Sequence, residues 1–313
     1  MAETIVDALR DPANLGALPA FRDLATWSAW LVFLEALYGL PMTPPELEVF
    51  QRHTARQAPR PGGYPEGVAV VGVQSGKSRV AGALAAFEAA RARPEGGGEL
   101  HAILVAQDHR GAIRTLGAYA REPFEASPVL QRLVPERAAG LRRLLRRVTQ
   151  REDALTLTSG VVVASYPCRP AAVRGLRACV VVIDELAFFV ATDGRPTDRE
   201  MLRVARGRVA TTGGKVIVLS SPYAETGALW ELHRRHYGRE DSLTLIWQAS
   251  ASAMNPTLGA DYLDRMRDED PDAFRSEVLG LFRAGISSLF DPEVLESAVD
   301  VGVRERMPEE AAR

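Results

Sequence analysis

The chain has 313 residues, 46% of them hydrophobic and 25% charged, with a formal net charge of -2. This is ordinary globular composition, enough for one large domain or two modest ones, and it carries no global basic field of the kind that draws a protein to nucleic acid. Cys168 and Cys179 are the only cysteines, too few for a disulfide framework, so a reduced compartment is the default expectation. The N-terminus has no basic n-region or long apolar h-region, and no uncharged run reaches the roughly 18 residues of a membrane span, so neither a secretory signal nor a membrane association is expected. Charge is uneven all the same. Arg142, Arg143, Arg146 and Arg147 cluster, whereas residues 261–272 are acidic.

In chain order, residues 1–20 are rich in Ala, Pro, Asn and Gly and read as a loosely docked lead-in. Phe21–Leu40 is helix-like and apolar over more than one face, which predicts burial. Thr43-Pro44-Pro45-Glu46 is a capping box with Pro at the first helical position, opening a second helix over Glu46–His53. A Pro/Gly connector, Pro59–Pro65, closes this part, so residues 1–60 read as a helical N-terminal extension. From Val68 the pattern alternates. Strands are predicted at Val68–Val73, His101–Ala106, Leu155–Thr158 with Val161–Ser165, Cys179–Ile183, Lys215–Ser220 and Leu243–Trp247, with helices between most of them. Short Val/Ile/Leu runs without alternation indicate strands covered on both faces, hence a mainly parallel sheet in a three-layer α/β domain with active residues at the carboxyl ends of the strands. Thr158-Ser159-Gly160 reads as a tight hairpin within that sheet.

The segment that organises this pattern is Val68–Arg79. An apolar run meets Gly72-Val73-Gln74-Ser75-Gly76-Lys77-Ser78-Arg79, and a helix-forming stretch, Val80–Ala90, follows. Strand, Gly-containing loop and helix in that order suit an anion. Loop N–H groups and the helix N-terminus face the phosphates of a nucleotide such as ATP, the Lys reaches the β- and γ-phosphates, and the Ser hydroxyl goes to Mg2+. The spacing is one residue short of the usual G-x-x-x-x-G-K-[ST], because three residues separate Gly72 from Gly76. Lys77 and Lys215 are the only lysines in an Arg-rich chain, so a Lys inside Gly-Lys-Ser suggests that a compact ammonium is needed there. The competing reading is a plain Gly-Ser turn.

Two further strand ends carry polar residues. Val180–Ile183 runs into Asp184-Glu185. Asp184 suits a Mg2+ ligand, and Glu185 can polarise a water for attack on a γ-phosphate, which argues for hydrolysis rather than mere binding. Taken alone, such a pair is more often a solvated strand end. Val216–Leu219 runs into Ser220-Ser221-Pro222, whose hydroxyls can sense the γ-phosphate and relay its state. Arg174, in a loop with Arg169 and Arg177, is a candidate arginine finger, acting in cis or from a neighbouring subunit.

These three strand-end motifs, with Val180-Val-Val-Ile-Asp-Glu-Leu-Ala-Phe-Phe189, Asn255-Pro256, Asp270–Phe282 and Gly285–Phe290, together resemble the ATPase half of a tailed-phage terminase large subunit, the DNA-packaging motor. The resemblance runs from about Trp27 to Phe290. It implies a P-loop NTPase fold of the ASCE/RecA-like kind. Its parts are a helical extension (1–60), an ATPase core (61–225), a small C-terminal lid (226–290) and a linker (291–313) toward a nuclease domain absent from this sequence, so no nuclease activity is expected of the chain itself. Carried over by position, Lys77 and Ser78 hold phosphate and Mg2+, Asp184 coordinates Mg2+, and Glu185 activates water. Ser220, Ser221 and Pro222 match the family's coupling motif. The implied partners are double-stranded DNA, a portal and a small terminase subunit, with a homo-oligomeric ring when assembled in the host cell cytoplasm and a monomer as the expected form of the chain alone. One departure stands out. Val73 and Gln74 lie where the family usually has an Arg or Lys, which leaves Arg79 as a substitute. A helicase-type ATPase and a nucleotide-binding scaffold that does not hydrolyse remain as alternatives.

Weaker signals complete the reading. His233 and His236 are expected to be a surface pair rather than a metal site, and the acidic stretch at 261–272 a solvated face. Gln51 and Arg56 are candidates for adenine contacts, the arginines at 142–147 for DNA or subunit contacts, and Trp230 and Leu232 for core.

Overall fold

The computed structural model describes residues 3–94, 98–107, 110–135, 154–189 and 194–283. Strands β1 (Glu66–Val71), β2 (Leu100–Ala106), β3 (Ala154–Thr156), β4 (Val161–Pro167), β5 (Ala178–Asp184), β6 (Lys215–Ser220) and β7 (Thr244–Ala249) form one sheet in the order β3-β4-β2-β5-β6-β1-β7. Every pairing is parallel except β3 with β4, the predicted hairpin. The strands form where the sequence is β-branched and unbroken. All six residues of β1 are buried, with Ala69 and Val71 in the apolar layer on one face and Val68 and Val70 in the layer on the other. A strand covered on both sides needs no polar alternation.

The first face is covered by α1 (Ile5–Arg10), α2 (Ser28–Tyr38), α4 (Lys77–Arg91) and α5 (Arg110–Ala126), and α3 (Pro44–Thr54) packs between α2 and β7. The second face is covered by helices Asp198–Val209 and Gly227–His236. Helix α3 begins as predicted: Glu46 Oε2 accepts from the Thr43 backbone N–H at 2.7 Å, and Pro44 takes the first turn. Helix α2 stops at Gly39, whose φ of 67° and whose approach to Gly63 leave no room for a Cβ, which would lie 2.3 Å from the Gly63 nitrogen.

Two boundaries differ from those expected. The described part of the lead-in is not loose: Ile5, Val6, Ala8, Leu9, Leu15 and Phe21 are buried in the same apolar layer as α4, so residues 3–60 build part of the core. Composition suggested loose docking, but tertiary burial of a few apolar side chains decides otherwise. Nor does a separate unit begin at 226. Strand β7 pairs with β1 along its whole length, and residues 227–249 belong to the sheet and its second layer. A small helical group does follow, from Ala251 to Val278, with its own apolar contacts among Ala251, Phe274 and Val278.

One buried group works against this packing. Glu35 on α2 is 5% exposed, and its Oε2 has no hydrogen-bond partner. Burial, reinforced by the charge of Glu46, pushes its carboxyl up from the usual 4.5 to about 7. The folded state therefore holds the proton more tightly than the unfolded chain, so Glu35 lowers stability progressively as pH rises through that window. Glu35→Gln should be more stable than the parent by about 1–3 kcal/mol near pH 8, with the gap closing near pH 4. Urea unfolding at the two pH values checks this, and an equal effect at both would refute it.

Candidate nucleotide site

The sheet brings three loop ends to one edge. In the register, Val70 lies beside Ser220, Asp184 beside Leu219, and Val71 beside Ala249. The carboxyl ends of β1, β5, β6 and β7 are therefore level, with β6 between the strands that deliver Lys77 and Asp184.

The loop after β1 is held from several sides. The Val73 N–H donates to the Glu277 carbonyl at 2.6 Å. The Gln74 carbonyl accepts from Asn255 Nδ2 at 2.8 Å, the Ser75 carbonyl from the Trp30 indole N–H at 2.6 Å, and the Gly72 carbonyl from Lys77 Nζ at 3.0 Å. Gln74 has a φ of 57° and Gly76 a φ of 90°. At Gly76 the glycine is needed twice over, because a Cβ would also lie 2.6 Å from the Trp27 ring. The backbone N–H groups of Ser75, Gly76, Lys77 and Ser78 have no acceptor among the described residues, and the Ser75 hydroxyl is buried without a partner. A run of free N–H groups at the start of α4 is an anion-binding arrangement.

Lys77 is 6% exposed and sits at the centre. Besides Gly72, its Nζ donates to Ser221 Oγ at 2.9 Å and lies 3.2 Å from Glu185 Oε1. Glu185 has a φ of 59°, an uncommon value for a non-glycine residue, which turns the chain sharply at the end of β5 and aims its carboxylate at β6. Its Oε2 accepts from the Ser221 backbone N–H at 2.8 Å. Ser220 Oγ accepts from the Ala187 N–H at 3.2 Å, and Pro222 beyond it is buried. Ser78 Oγ donates to Asp184 Oδ2 at 2.9 Å, while Asp184 Oδ1 is buried with no partner. Burial, with Glu185 next to it, pushes the Asp184 carboxyl up to about 6. A desolvated carboxylate with an orphan oxygen beside a hydroxyl fits a hard cation such as Mg2+.

The structure thus brings together Gly72 to Ser78, Asp184, Glu185, Ser220 and Ser221. It does not bring Arg79 into the loop. The Arg79 guanidinium pairs with Glu122 at 3.1 Å and lies over the Tyr119 ring, so it does not replace the missing early Arg or Lys. Arg174 is exposed and ion-paired with Glu200. Arg56 is no adenine contact. It is buried, lies over the Tyr64 ring, and donates to the carbonyls of His236 and Thr244, while Gln51 donates to the Gln57 carbonyl. His233 is not half of a surface pair either: its ring stacks between Trp230 and Tyr237 and bonds Gln248 Oε1 at 2.9 Å. Cys168 and Cys179 are buried thiols. Among the described residues no group of three His, Cys, Asp or Glu could hold a metal, and the acidic helix Ala260–Glu269 has no buried residue. The arginines at 142–147 lie outside the described residues. Sequence reasoning missed Trp30 as a site residue. The one available signal was that an indole N–H requires a partner when buried.

A mainly parallel sheet covered by helices, with a Gly-Lys-Ser loop and an Asp-Glu pair at its carboxyl edge, is the α/β fold of phosphate-loop NTPases. No family model matches the sequence, and no curated protein matches it either. Solved structures do match. The large terminase ATPase domain of Thermus phage P74-26 aligns with a TM-score of 0.51 at 18% identity, covering 80% of this chain and 97% of that one. The large terminase of bacteriophage HK97 aligns with a TM-score of 0.54 at 15% identity, covering 82% of this chain but 55% of that one. The fold is therefore the one found in phage large terminase ATPase domains.

The loop's packing yields a direct expectation. A Cβ at Gly72 would lie 2.5 Å from the Glu277 carbonyl oxygen and 2.8 Å from the Ala251 side chain. Gly72→Ala should destabilise the protein by about 1–3 kcal/mol in urea unfolding. A neutral result would mean that the C-terminal helical group does not press on the loop.

Proposed function

We propose that this chain is a terminase-type ATPase domain that hydrolyses ATP with Mg2+ to move double-stranded DNA into a viral procapsid. The observation that carries this reading is the convergence of Lys77, Ser78, Asp184, Glu185 and Ser221 at the level carboxyl edge of β1, β5 and β6. The same fold in large terminase ATPase domains supports it. The N–H groups of Ser75 to Ser78 receive the phosphates, and Lys77 Nζ adds positive charge to them. Ser78 and Asp184 would hold the magnesium ion. A bound magnesium ion neutralises charge on the phosphate oxygens.

Glu185 is the base. Its Oε1 faces Lys77 and Ser221, so phosphate that draws Lys77 away frees this oxygen to take a proton from water. Its Oε2 stays on the Ser221 N–H, so the carboxylate and the Ser220-Ser221-Pro222 segment register each other. Arg174 is the candidate finger, which requires release from Glu200 or delivery to a neighbouring subunit. Double-stranded DNA, a portal, a small terminase subunit and a ring of copies are the partners this reading assigns, in the host cytoplasm. No helix among the described residues is long and apolar enough to cross a membrane.

Glu185→Gln should bind ATP within a few-fold of the parent and lose about 100-fold or more of turnover. Unchanged turnover would remove Glu185 from the chemistry. Turnover by the parent chain should rise with non-specific double-stranded DNA, and this stimulation should fade as salt increases. ATP hydrolysis indifferent to DNA in a preparation shown to assemble into rings would count against the packaging role.

A further inference from the structure

A trans peptide is planar, so the carbonyl of one residue and the N–H of the next point in opposite directions. Holding a carbonyl on one side of a loop therefore aims the following N–H at the other side. The Gln74 carbonyl is held by Asn255 Nδ2 at 2.8 Å, which fixes the direction of the Ser75 N–H. The Ser75 carbonyl is held by the Trp30 indole at 2.6 Å, which fixes the direction of the Gly76 N–H. These two N–H groups, with those of Lys77 and Ser78, have no acceptor among the described residues. The two tethers reach the loop from opposite ends of the chain. Trp30 comes from α2, and Asn255 from the helical group that follows β7.

Neither tether is loose. Trp30 is 1% exposed and packs edge-on against Phe33, which packs edge-on against Trp247. The Trp247 indole in turn meets the Met254 sulfur at 3.3 Å, immediately before Asn255. Asn255 Oδ1 is engaged by the Thr257 backbone N–H at 3.1 Å and by the Thr257 hydroxyl at 2.6 Å, which leaves Nδ2 facing Gln74. The positive φ of Gln74, 57°, is a conformation the residue does not choose by itself, so the loop needs support from outside to hold it.

We propose that Trp30 and Asn255 are positioning residues for phosphate binding. Each donates to a loop carbonyl and so preorganises the N–H that points the other way for the polyphosphate of the nucleotide. This rests on the nucleotide-site reading above. The tethers act on phosphate recognition and not on the base. A weakened tether therefore costs affinity for any polyphosphate, with or without a nucleoside attached.

The test measures binding of ATP and of inorganic tripolyphosphate by calorimetry for the parent chain, Trp30→Phe, Asn255→Ala, Thr257→Val and Lys77→Ala, at a temperature where circular dichroism shows each folded. Trp30→Phe keeps a ring and loses the donor. Asn255 is only half-buried, so its variant is read independently if Trp30→Phe fails to fold. Each tether variant should weaken both ligands by about 5- to 20-fold, as loss of one orienting hydrogen bond implies. Thr257→Val removes one of the two bonds that orient the Asn255 amide but keeps Nδ2 and the backbone donor, so it should weaken both ligands by less than Asn255→Ala does. Folded tether variants with parental affinity, or with weakened ATP but unchanged tripolyphosphate, would overturn the proposal and leave the nucleotide site standing. Binding by the parent that ignores Lys77→Ala would overturn the nucleotide-site reading itself, and the positioning role with it.

Discussion

The opposed directions of carbonyl and N–H in each peptide of the 72–78 loop are the constraint on which the site depends. An anion is received by N–H groups only if the carbonyls are kept elsewhere, and a buried carbonyl must find a donor. Here the buried carbonyls of Gly72 and Ser75 find Lys77 and Trp30, and the carbonyl of the exposed Gln74 finds Asn255. Lys77 belongs to the loop itself, whereas Trp30 on α2 and Asn255 after β7 lie far along the chain, so the loop takes this shape only with two distant parts of the chain in place. Residues 5–37 pack in the same apolar layer as α4, and residues 251–278 press on Gly72, which brings both donors to the loop.

Electrostatics at the strand ends is balanced around one buried cation. Lys77 is shared among a carbonyl, a hydroxyl and the Glu185 carboxylate. Asp184 is left with an unpartnered oxygen and a carboxyl pushed up to about 6. A site that is under-neutralised on the Asp184 side and has free N–H groups along the loop is complementary to a polyphosphate with its cation, and it is tolerated only because a rigid sheet surrounds it. The strain of Glu185 in the left-handed region belongs to the same economy: the carboxylate is held toward Ser221 by backbone geometry rather than by a flexible stem.

The aromatic box of Trp30, Phe33, Trp247 and His53 joins the two tethers through the core. The His53 ring lies 4.8 Å from that of Trp247, and its Nδ1 meets the Gln248 carbonyl at 3.0 Å. Trp30, Phe33 and Trp247 pack edge-on and His53 lies tilted on Trp247, an arrangement that buries large area with few rotamers. The segments around Trp30 and Asn255 are consequently parts of one body with the sheet, and the boundary expected at residue 226 has no counterpart in it.

The strands, their parallel arrangement, the hairpin before Val161, the capping box at Thr43 and the Lys-Ser, Asp-Glu and Ser-Ser stations were legible in the sequence, because each rests on chemistry local to a few residues: β-branched runs, a capping pattern, a loop between strand and helix. The roles of Arg79, Arg56 and His233 were not legible. Whether an arginine meets a phosphate, a carboxylate such as Glu122 or a carbonyl such as that of Thr244 depends on what the fold places within reach. Apolar residues in a Pro- and Gly-rich lead-in likewise become core only when a sheet face is there to receive them. The sequence by itself determined which residues carry charge and hydroxyls at the strand ends. Only the tertiary structure decided which carbonyls of the phosphate loop are turned outward, because the donors that hold them lie 45 and 181 residues away along the chain.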